Sequence, residues 1–247
     1  MNSQTEHDDA LSGMAVGVLA ATVAAVAHEA IGHGGGCAIV GGQVSLLTSI
    51  FFDCDGATTL TDAAGPFGSF LAAVGAALAL RFVRPGTWLF PFVYLSFIIN
   101  AGWFSGQLIY SAALDRDDWH YVARGLHWAS SWRVVAIALG VGLYWGSLRL
   151  LRGWTIHRST LRRSYAAAAG SAALAGLFWS KAPFASAWEG VLAVGVAPFG
   201  LLFSAVRRSP PGGASAALPR SWGWVGVSSI LYVLFLVVEA RGLGRLA

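Results

Sequence analysis

Long apolar runs with almost no charged residues constrain this chain more than any other feature of its sequence. Of its 247 residues, 56% are hydrophobic and 11% are charged, whereas roughly a quarter of the residues are charged in an ordinary soluble domain. A run of about 20 apolar residues is long enough to cross the hydrocarbon core of a bilayer. We therefore expect residues 1–247 to form one all-α, polytopic integral membrane domain.

The apolar runs predict about seven transmembrane helices. The segment between the first two differs from the other connections, because residues 34–36 are glycines, residues 43–52 are β-prone and residues 53–56 contain turn signals. We expect a short embedded β-hairpin or re-entrant segment there, and an eighth span is the alternative. The predicted spans are residues 11–33, 65–82, 88–114, 131–151, 166–180, 188–206 and 222–240.

The formal net charge of +4 does not predict a nucleic-acid partner. The 16 basic residues are scattered at the ends of the apolar runs, which is the usual placement beside transmembrane helices. The partner that this placement predicts is the lipid bilayer. With seven spans, the side of the membrane that is richer in arginine would be cytoplasmic and would hold the N-terminus. We expect a multi-pass protein of the cytoplasmic membrane of a bacterium.

The two cysteines, Cys37 and Cys54, both fall in the segment between the first two predicted spans. This number is too small for a disulfide scaffold, and the pair lacks the C-x-x-C spacing of many metal and redox sites. A single bridge between them is one of two alternatives, and it requires that the segment faces an oxidising compartment.

The first apolar run ends in three ionisable residues, His28, Glu29 and His33. An ionised group near the bilayer centre costs about 2.5 to 3.5 kcal/mol on insertion scales, and metal binding would offset that cost. A catalytic zinc site needs neutral imidazoles, one further protein ligand and an open position for water. Glu29, beside the first ligand, would act as the general base on that water. The alternative is that all three are polar residues at a helix end near the headgroups.

The spacing of the two histidines requires an irregularity in the helix. In the zincin pattern H-E-x-x-H the histidines are four residues apart, about 40° around a helix, whereas a spacing of five corresponds to roughly 140°. His28 and His33 have the wider spacing. A π-bulge, or unwinding at Gly32 and the glycines that follow, would return His33 to the face of His28.

Three features in chain order resemble the site-2 protease family of intramembrane zinc metalloproteases. His28-Glu29 with His33 resembles the zinc helix of that family, residues 34–52 resemble its embedded sheet, and Gly65-Pro66-Phe67-Gly68-Ser69-Phe70 resembles its Gly-Pro-x-x-Asn-Phe helix start. The resemblance covers roughly the first half of the chain, to about Asp118, and we predict residues 1–120 to be the metalloprotease core. Residues 121–247 would be additional transmembrane helices.

The chain departs from that family at three points. One extra residue separates the histidines, Ser69 stands where the family prefers asparagine, and no Leu-Asp-Gly follows Asn100 at the short spacing of the family. In the family an asparagine of this region holds the substrate backbone or the developing oxyanion. The resemblance therefore implies a substrate-binding role for Asn100, and an interhelical hydrogen bond is the alternative.

The third metal ligand must come from elsewhere, and the nearest acidic candidates follow the third predicted span. The first span ends, the second begins and the third ends on the same side of the membrane, so the three motifs can converge. We rank Asp118 first because Trp119 would anchor it at the interface. The other candidates are Asp115, Asp117 and His120, and a solvated acidic loop without a ligand is the opposing interpretation.

These residues together predict an intramembrane zinc metalloprotease. His28, His33 and Asp118 would hold Zn²⁺, Glu29 would activate water, and Asn100 would bind a transmembrane or membrane-interface peptide. A membrane zinc hydrolase acting on a lipid amide or ester would use the same site chemistry. A non-catalytic metal-binding or scaffold membrane protein is the third possibility, and the wide histidine spacing is its best support.

Overall fold

A computed structural model describes residues 9–154, 156–208 and 218–244 of the chain, and this part is mostly helical. The strands of its one small sheet are β1 (Gln43–Leu47) and β2 (Phe52–Asp55). The helices are α1 (Ala10–Val26), α2 (Gly34–Ile39), α3 (Thr59–Ala79), α4 (Leu89–Leu114), α5 (Asp118–Gly125), α6 (Trp132–Leu150), α7 (Arg158–Leu177), α8 (Pro183–Gly190), α9 (Phe199–Arg208) and α10 (Trp222–Phe235).

Short irregular helices extend several of these elements. A π-helical turn at Ala27–His33 joins α1 to α2, a second at Val191–Val196 lies between α8 and α9, and a third at Leu236–Ala240 continues α10. A 3₁₀ turn at Leu151–Gly153 follows α6. A π-helical turn holds one extra residue, and such turns occur frequently at functional sites.

Six helical segments of the described chain are long and apolar enough to cross a membrane, which gives the protein the architecture of a polytopic membrane protein. The predicted span at residues 166–180 lies mainly in α7, which is not one of the six and begins with three arginines, Arg158, Arg162 and Arg163. The count of seven therefore stays a prediction. The six segments are Ala10–Ile39, Thr59–Ala79, Leu89–Leu114, Trp132–Gly153, Pro183–Ala205 and Trp222–Ala240.

Helix α4 lies at the centre of the structure. Its residues Tyr94, Leu95, Ile98 and Ile99 are almost completely buried. Helices α1, α3 and α6 pack around it, and α7 and α10 pack in turn against α1. Helices beyond residue 120 thus pack against α1 and α4 of the predicted metalloprotease core, and the boundary of that core stays a prediction.

The glycines after the first span do not unwind the chain, which differs from our expectation for residues 34–36. These residues form the first turn of α2, so the first span continues as a helix to Ile39. A Cβ atom added to Gly36 would lie 2.6 Å from the Cβ of Ala64. The close approach of α2 and α3 therefore requires a glycine at position 36, a common use of small residues between membrane helices.

The sheet that follows the first span is a short antiparallel pair. Val44 faces Cys54 and Leu47 faces Phe52, with a bulge in β1 between them. The backbones of Leu47 and Leu243 exchange two hydrogen bonds, so the end of the chain covers part of β1. The sequence predicted a hairpin in this segment, and its position relative to a bilayer stays a prediction.

A disulfide between Cys37 and Cys54 ties β2 to α2 and closes a loop with a sequence separation of 17. Replacement of both cysteines by serine is expected to lower the free energy of unfolding by about 3 kcal/mol, because the bridge restricts the unfolded chain. Denaturant unfolding in detergent measures this change. A reducing agent should destabilise the wild type equally and leave the double variant unchanged, whereas two titratable thiols in the untreated protein would show that no bridge forms.

Candidate metal centre

The π-helical turn at Ala27–His33 brings the two histidines together. Its widened turn places His28 and His33 on one face, with ring centroids 5.1 Å apart. Both side chains are buried. Two histidines five residues apart would lie on different faces of a regular α-helix. The π-helical turn instead lets both of them face one metal ion.

Asp118, the first residue of α5, meets both imidazoles. One of its carboxylate oxygens, Oδ2, lies 3.2 Å from Nε2 of His28 and 3.2 Å from Nε2 of His33. The three donor atoms all lie within 4.8 Å of one another, so His28, His33 and Asp118 form a group that could hold a metal ion. Two imidazoles and one carboxylate are a donor set found in catalytic metal sites.

The connection between α4 and α5 holds Asp118 in place through an unusual backbone conformation. Asp115 and Asp117 both have positive φ angles, 56° and 78°. Non-glycine residues rarely adopt such angles, and they cluster at functional sites where surrounding contacts hold the strained backbone. Asp115 and Asp117 lie in the short connection between α4 and α5. Their backbone conformation directs the chain so that Asp118 faces the histidines.

The second nitrogen of each imidazole has its own partner. Nδ1 of His33 donates a hydrogen bond of 2.8 Å to the backbone carbonyl of Thr61, and Nδ1 of His28 lies 3.0 Å from the hydroxyl oxygen of Ser69. A carbonyl only accepts, so the proton of neutral His33 lies on Nδ1 and its Nε2 is free to bind a metal. Partners of this kind orient metal-binding histidines in proteins.

Aromatic rings and glycines fix the positions of the histidines. Trp103 stacks on His28 with centroids 4.5 Å apart, and Phe52 of β2 stacks on His33 at 5.3 Å. A Cβ atom added to Gly65 of α3 would lie only 2.1 Å from Nε2 of His33. The Gly65-Pro66 pair lies inside α3, which begins at Thr59 rather than at this pair as the resemblance implied.

Gln107 of α4 forms a hydrogen bond with the carboxylate of Asp118. Its amide nitrogen donates to Oδ2 of Asp118 at 2.7 Å and to Oδ2 of Asp117 at 3.1 Å. The first of these bonds ends on the same oxygen that faces the two histidines. Gln107 therefore fixes the direction in which Asp118 presents its carboxylate.

Replacement of Gln107 by leucine is expected to weaken zinc binding by about tenfold, because losses of 10- to 100-fold are typical when a partner of a metal ligand is removed. Isothermal titration of the metal-free protein with zinc measures this change. Ser111→Ala on the same helix is the matched control, since its buried hydroxyl has no hydrogen-bond partner in the described chain. Equal affinities of the two variants would show that Gln107 does not position the ligand.

The two adjacent carboxylates of this loop have opposite pKa shifts. Burial opposes ionisation of Asp118, but the neighbouring His33 and His28 hold its pKa well below the usual range. Burial and the negative charge of Asp118 raise the pKa of Asp117 to about 7. The carboxylate suited to a positive partner is thus Asp118, the one that faces the histidines.

Glu29 lies beside this group and opens into a large cavity. Its side chain is 2% exposed and accepts no hydrogen bond from any residue of the described chain. The cavity has a volume of about 1040 Å³, and its lining includes Glu29, His28, His33 and Asp118. A buried carboxylate without a partner next to such a cavity is suited to accept a proton from a small molecule there.

Asp115, His120 and Asn100 are not members of the metal group. Asp115 forms ion pairs with His120 and Arg133, and the hydrogen bond with His120 lowers the pKa of Asp115. Asn100 is fully buried and donates to the carbonyl of Ser96 in its own helix. It is not among the described residues that line the cavity, so its substrate-binding role stays a prediction without geometric support.

Several residues that complete the site could not be identified from the sequence. Gln107, Thr61, Trp103 and Phe52 come from three different elements, and none stands in a recognisable spacing with the histidines. Ser69 was noted only as a departure from the asparagine of the resembling family. A buried glutamine within an apolar helix was the one available signal, because amides inside membrane helices need a partner.

The fold and the site define a polytopic membrane protein with a candidate metal centre where the π-helical turn at Ala27–His33, α3 and α5 meet. Comparisons with protein-family models, with curated proteins and with solved structures found no match to this chain.

Proposed function

We propose that this protein is a membrane zinc hydrolase that cleaves a peptide bond of a transmembrane or membrane-interface substrate. The observation that carries the proposal is the arrangement of Glu29. Its buried carboxylate has no partner in the described chain and shares one cavity with the group formed by His28, His33 and Asp118. A purely structural metal site would have no need of such a carboxylate.

The donor set supports zinc as the metal. Nδ1 of His33 is occupied by a carbonyl, and both Nε2 atoms face the carboxylate of Asp118. When bound, a zinc ion would polarise the scissile carbonyl and lower the pKa of a water molecule. Glu29 would take the proton from that water and pass it to the leaving nitrogen, while Gln107 keeps Asp118 oriented.

The location of the cavity supports a membrane-embedded or interfacial peptide as the substrate. Residues of three candidate spans line it, including Asp62 in the first turn of α3, Trp103 and Gln107 of α4, and His28 of the first span. An extended peptide segment requires a cleft of several hundred cubic ångströms, which the cavity provides. The first turn of α3 would lie near the interface of a surrounding bilayer.

Metal analysis of the purified full chain tests the proposal. We expect about one zinc ion per wild-type chain and almost none in His28→Ala or Asp118→Asn, because a catalytic site has three protein ligands. Asp115→Asn is the matched control from the same loop, and it should keep its zinc because Asp115 pairs with Arg133 and His120 instead. A wild-type protein without stoichiometric metal, or with iron in place of zinc, would overturn the proposal.

A further inference from the structure

The cavity beside the candidate metal centre concentrates the negative charge of the protein. Six of the 12 acidic residues of the chain line it, compared with two of the 16 lysines and arginines. This bias is opposite to the net charge of +4 of the whole chain. The charge of the cavity is therefore a local property of its walls.

Part of this negative charge is already compensated. Arg116 forms an ion pair with Glu189 at 2.7 Å across the cavity wall. In the proposed function the two charges of the zinc ion are offset by Asp118 and Glu29. Asp117 accepts a hydrogen bond from Gln107, so the carboxylates that remain are Asp53 and Asp62, and Arg124 is the one further basic residue of the described lining.

The two remaining carboxylates come from different elements. Asp53 lies on β2 and Asp62 on the first turn of α3. No lysine or arginine in the described part of the chain forms an ion pair with either of them. Negative charges that line one cavity without a counterion favour the entry of a cation.

The cavity is a ligand site on independent grounds. The carboxylate of Glu29 is buried, lacks a partner among the described residues and opens into the cavity beside the metal group. Tyr121 and Tyr144 also line the cavity, and the faces of tyrosine rings attract lysine and arginine side chains. The walls thus combine carboxylates and aromatic rings around a reactive centre.

We propose that the substrate segment that enters this cavity is cationic, with lysine or arginine side chains close to the scissile bond. This inference rests on the proposed function, because it specifies which peptides that hydrolase would accept. Segments of this kind are common, since lysines and arginines flank transmembrane helices at the membrane interface. A segment with glutamate or aspartate at the same positions would bind more weakly, because the carboxylates that line the cavity would repel it.

Binding of three synthetic peptides tests the charge preference separately from catalysis. The peptides share one apolar segment of about 20 residues and differ at two adjoining positions, which are Lys-Lys, Gln-Gln or Glu-Glu. The protein is the zinc-loaded full chain with Glu29→Gln, reconstituted in phosphatidylcholine vesicles so that the lipid adds no net charge. Fluorescence anisotropy gives the dissociation constant of each labelled peptide.

The Lys-Lys peptide is expected to bind about tenfold more tightly than the Gln-Gln peptide, a difference that a few partly exposed ion pairs can produce. The Glu-Glu peptide should bind most weakly, and added salt should narrow the differences. The preference should disappear in a chain that also carries Asp53→Asn and Asp62→Asn. Asp55→Asn is the matched control, because Asp55 is also on β2 but is not among the described residues that line the cavity.

Cleavage of the same peptides by the wild-type chain, followed by mass spectrometry, separates the two hypotheses. Equal binding of the three peptides, or no binding, would overturn the charge preference, and cleavage would then still support the hydrolase. A clear preference for the Lys-Lys peptide without any cleavage would support a cationic ligand and contradict hydrolysis. Zinc content measured on every variant shows whether the chain has kept its fold at the site.

Discussion

Glu29→Gln is expected to retain zinc while its kcat falls by about 10² to 10⁴-fold, the range that a positioned general base contributes. Glutamine has nearly the same shape as glutamate but cannot accept the proton of a water molecule at neutral pH. Glu29 is not one of the three residues whose donor atoms converge. The variant should therefore separate metal binding from catalysis.

The measurement combines zinc content with cleavage of the Lys-Lys peptide in vesicles. Glu239→Gln is the matched control, because Glu239 is also a buried glutamate in a π-helical turn but is not among the described residues that line the cavity. It should keep both zinc and activity. Loss of zinc in Glu29→Gln would instead make this residue a ligand, and full activity would exclude it as the base.

The same pair of variants also addresses the scaffold alternative. A non-catalytic metal site would retain zinc in the wild type and in Glu29→Gln, and neither protein would cleave any peptide. If the site is a zinc hydrolase, the wild type and Glu239→Gln should cleave the peptide, and Glu29→Gln should not. We expect the second outcome, because Glu29 lines the same cavity as the three residues of the metal group.

The candidate metal ligands of the first span could be predicted from the sequence, because ionisable residues are rare in apolar membrane-spanning segments. Three ionisable residues within six positions at the end of an apolar run need a physical compensation. The excess spacing of His28 and His33 predicted a helix irregularity near Gly32, and the structure has a π-helical turn at Ala27–His33. Topology allows all four acidic or histidine candidates of the loop to reach the histidines, and the neighbour Trp119 favours Asp118, which is the candidate that contacts both histidines.

The supporting contacts of the site could not be predicted, because they depend on how separate elements pack. Gln107 reaches Asp118 only because two positive φ angles, at Asp115 and Asp117, reverse the chain after α4. Thr61 contacts His33 through its backbone carbonyl, and a backbone carbonyl has no sequence signature. No spacing rule for helices or strands contains this information.

The glycine run shows why a local signal can be misinterpreted. Successive glycines favour turns and unwound segments when the chain is considered alone. In this protein Gly36 lies inside α2 and lets that helix approach Ala64 of α3. Close packing between helices offsets the low helix propensity of glycine. The sequence alone does not show that Ala64 packs against Gly36.

Gly65→Ala is expected to weaken zinc binding by at least about 100-fold, more than the loss of a single supporting hydrogen bond. The new Cβ atom would lie 2.1 Å from Nε2 and 2.5 Å from Cδ2 and Cε1 of His33, distances that no pair of nonbonded carbon or nitrogen atoms adopts. The imidazole cannot shift in its own plane without losing its hydrogen bond to Thr61 and its contact with Phe52. It must therefore turn away from Asp118.

Gly75→Ala provides a control in the same helix. A Cβ atom added there meets nothing within 4 Å, so this variant should bind zinc like the wild type, and alanine should stabilise α3 slightly. Zinc titration of both variants, with circular dichroism to confirm equal helix content, makes the comparison. If Gly65→Ala binds zinc normally, Nε2 of His33 is not a ligand and the metal centre must be sought elsewhere. If it loses zinc while its helix content is unchanged, the close approach of α3 to His33 is what shapes the site.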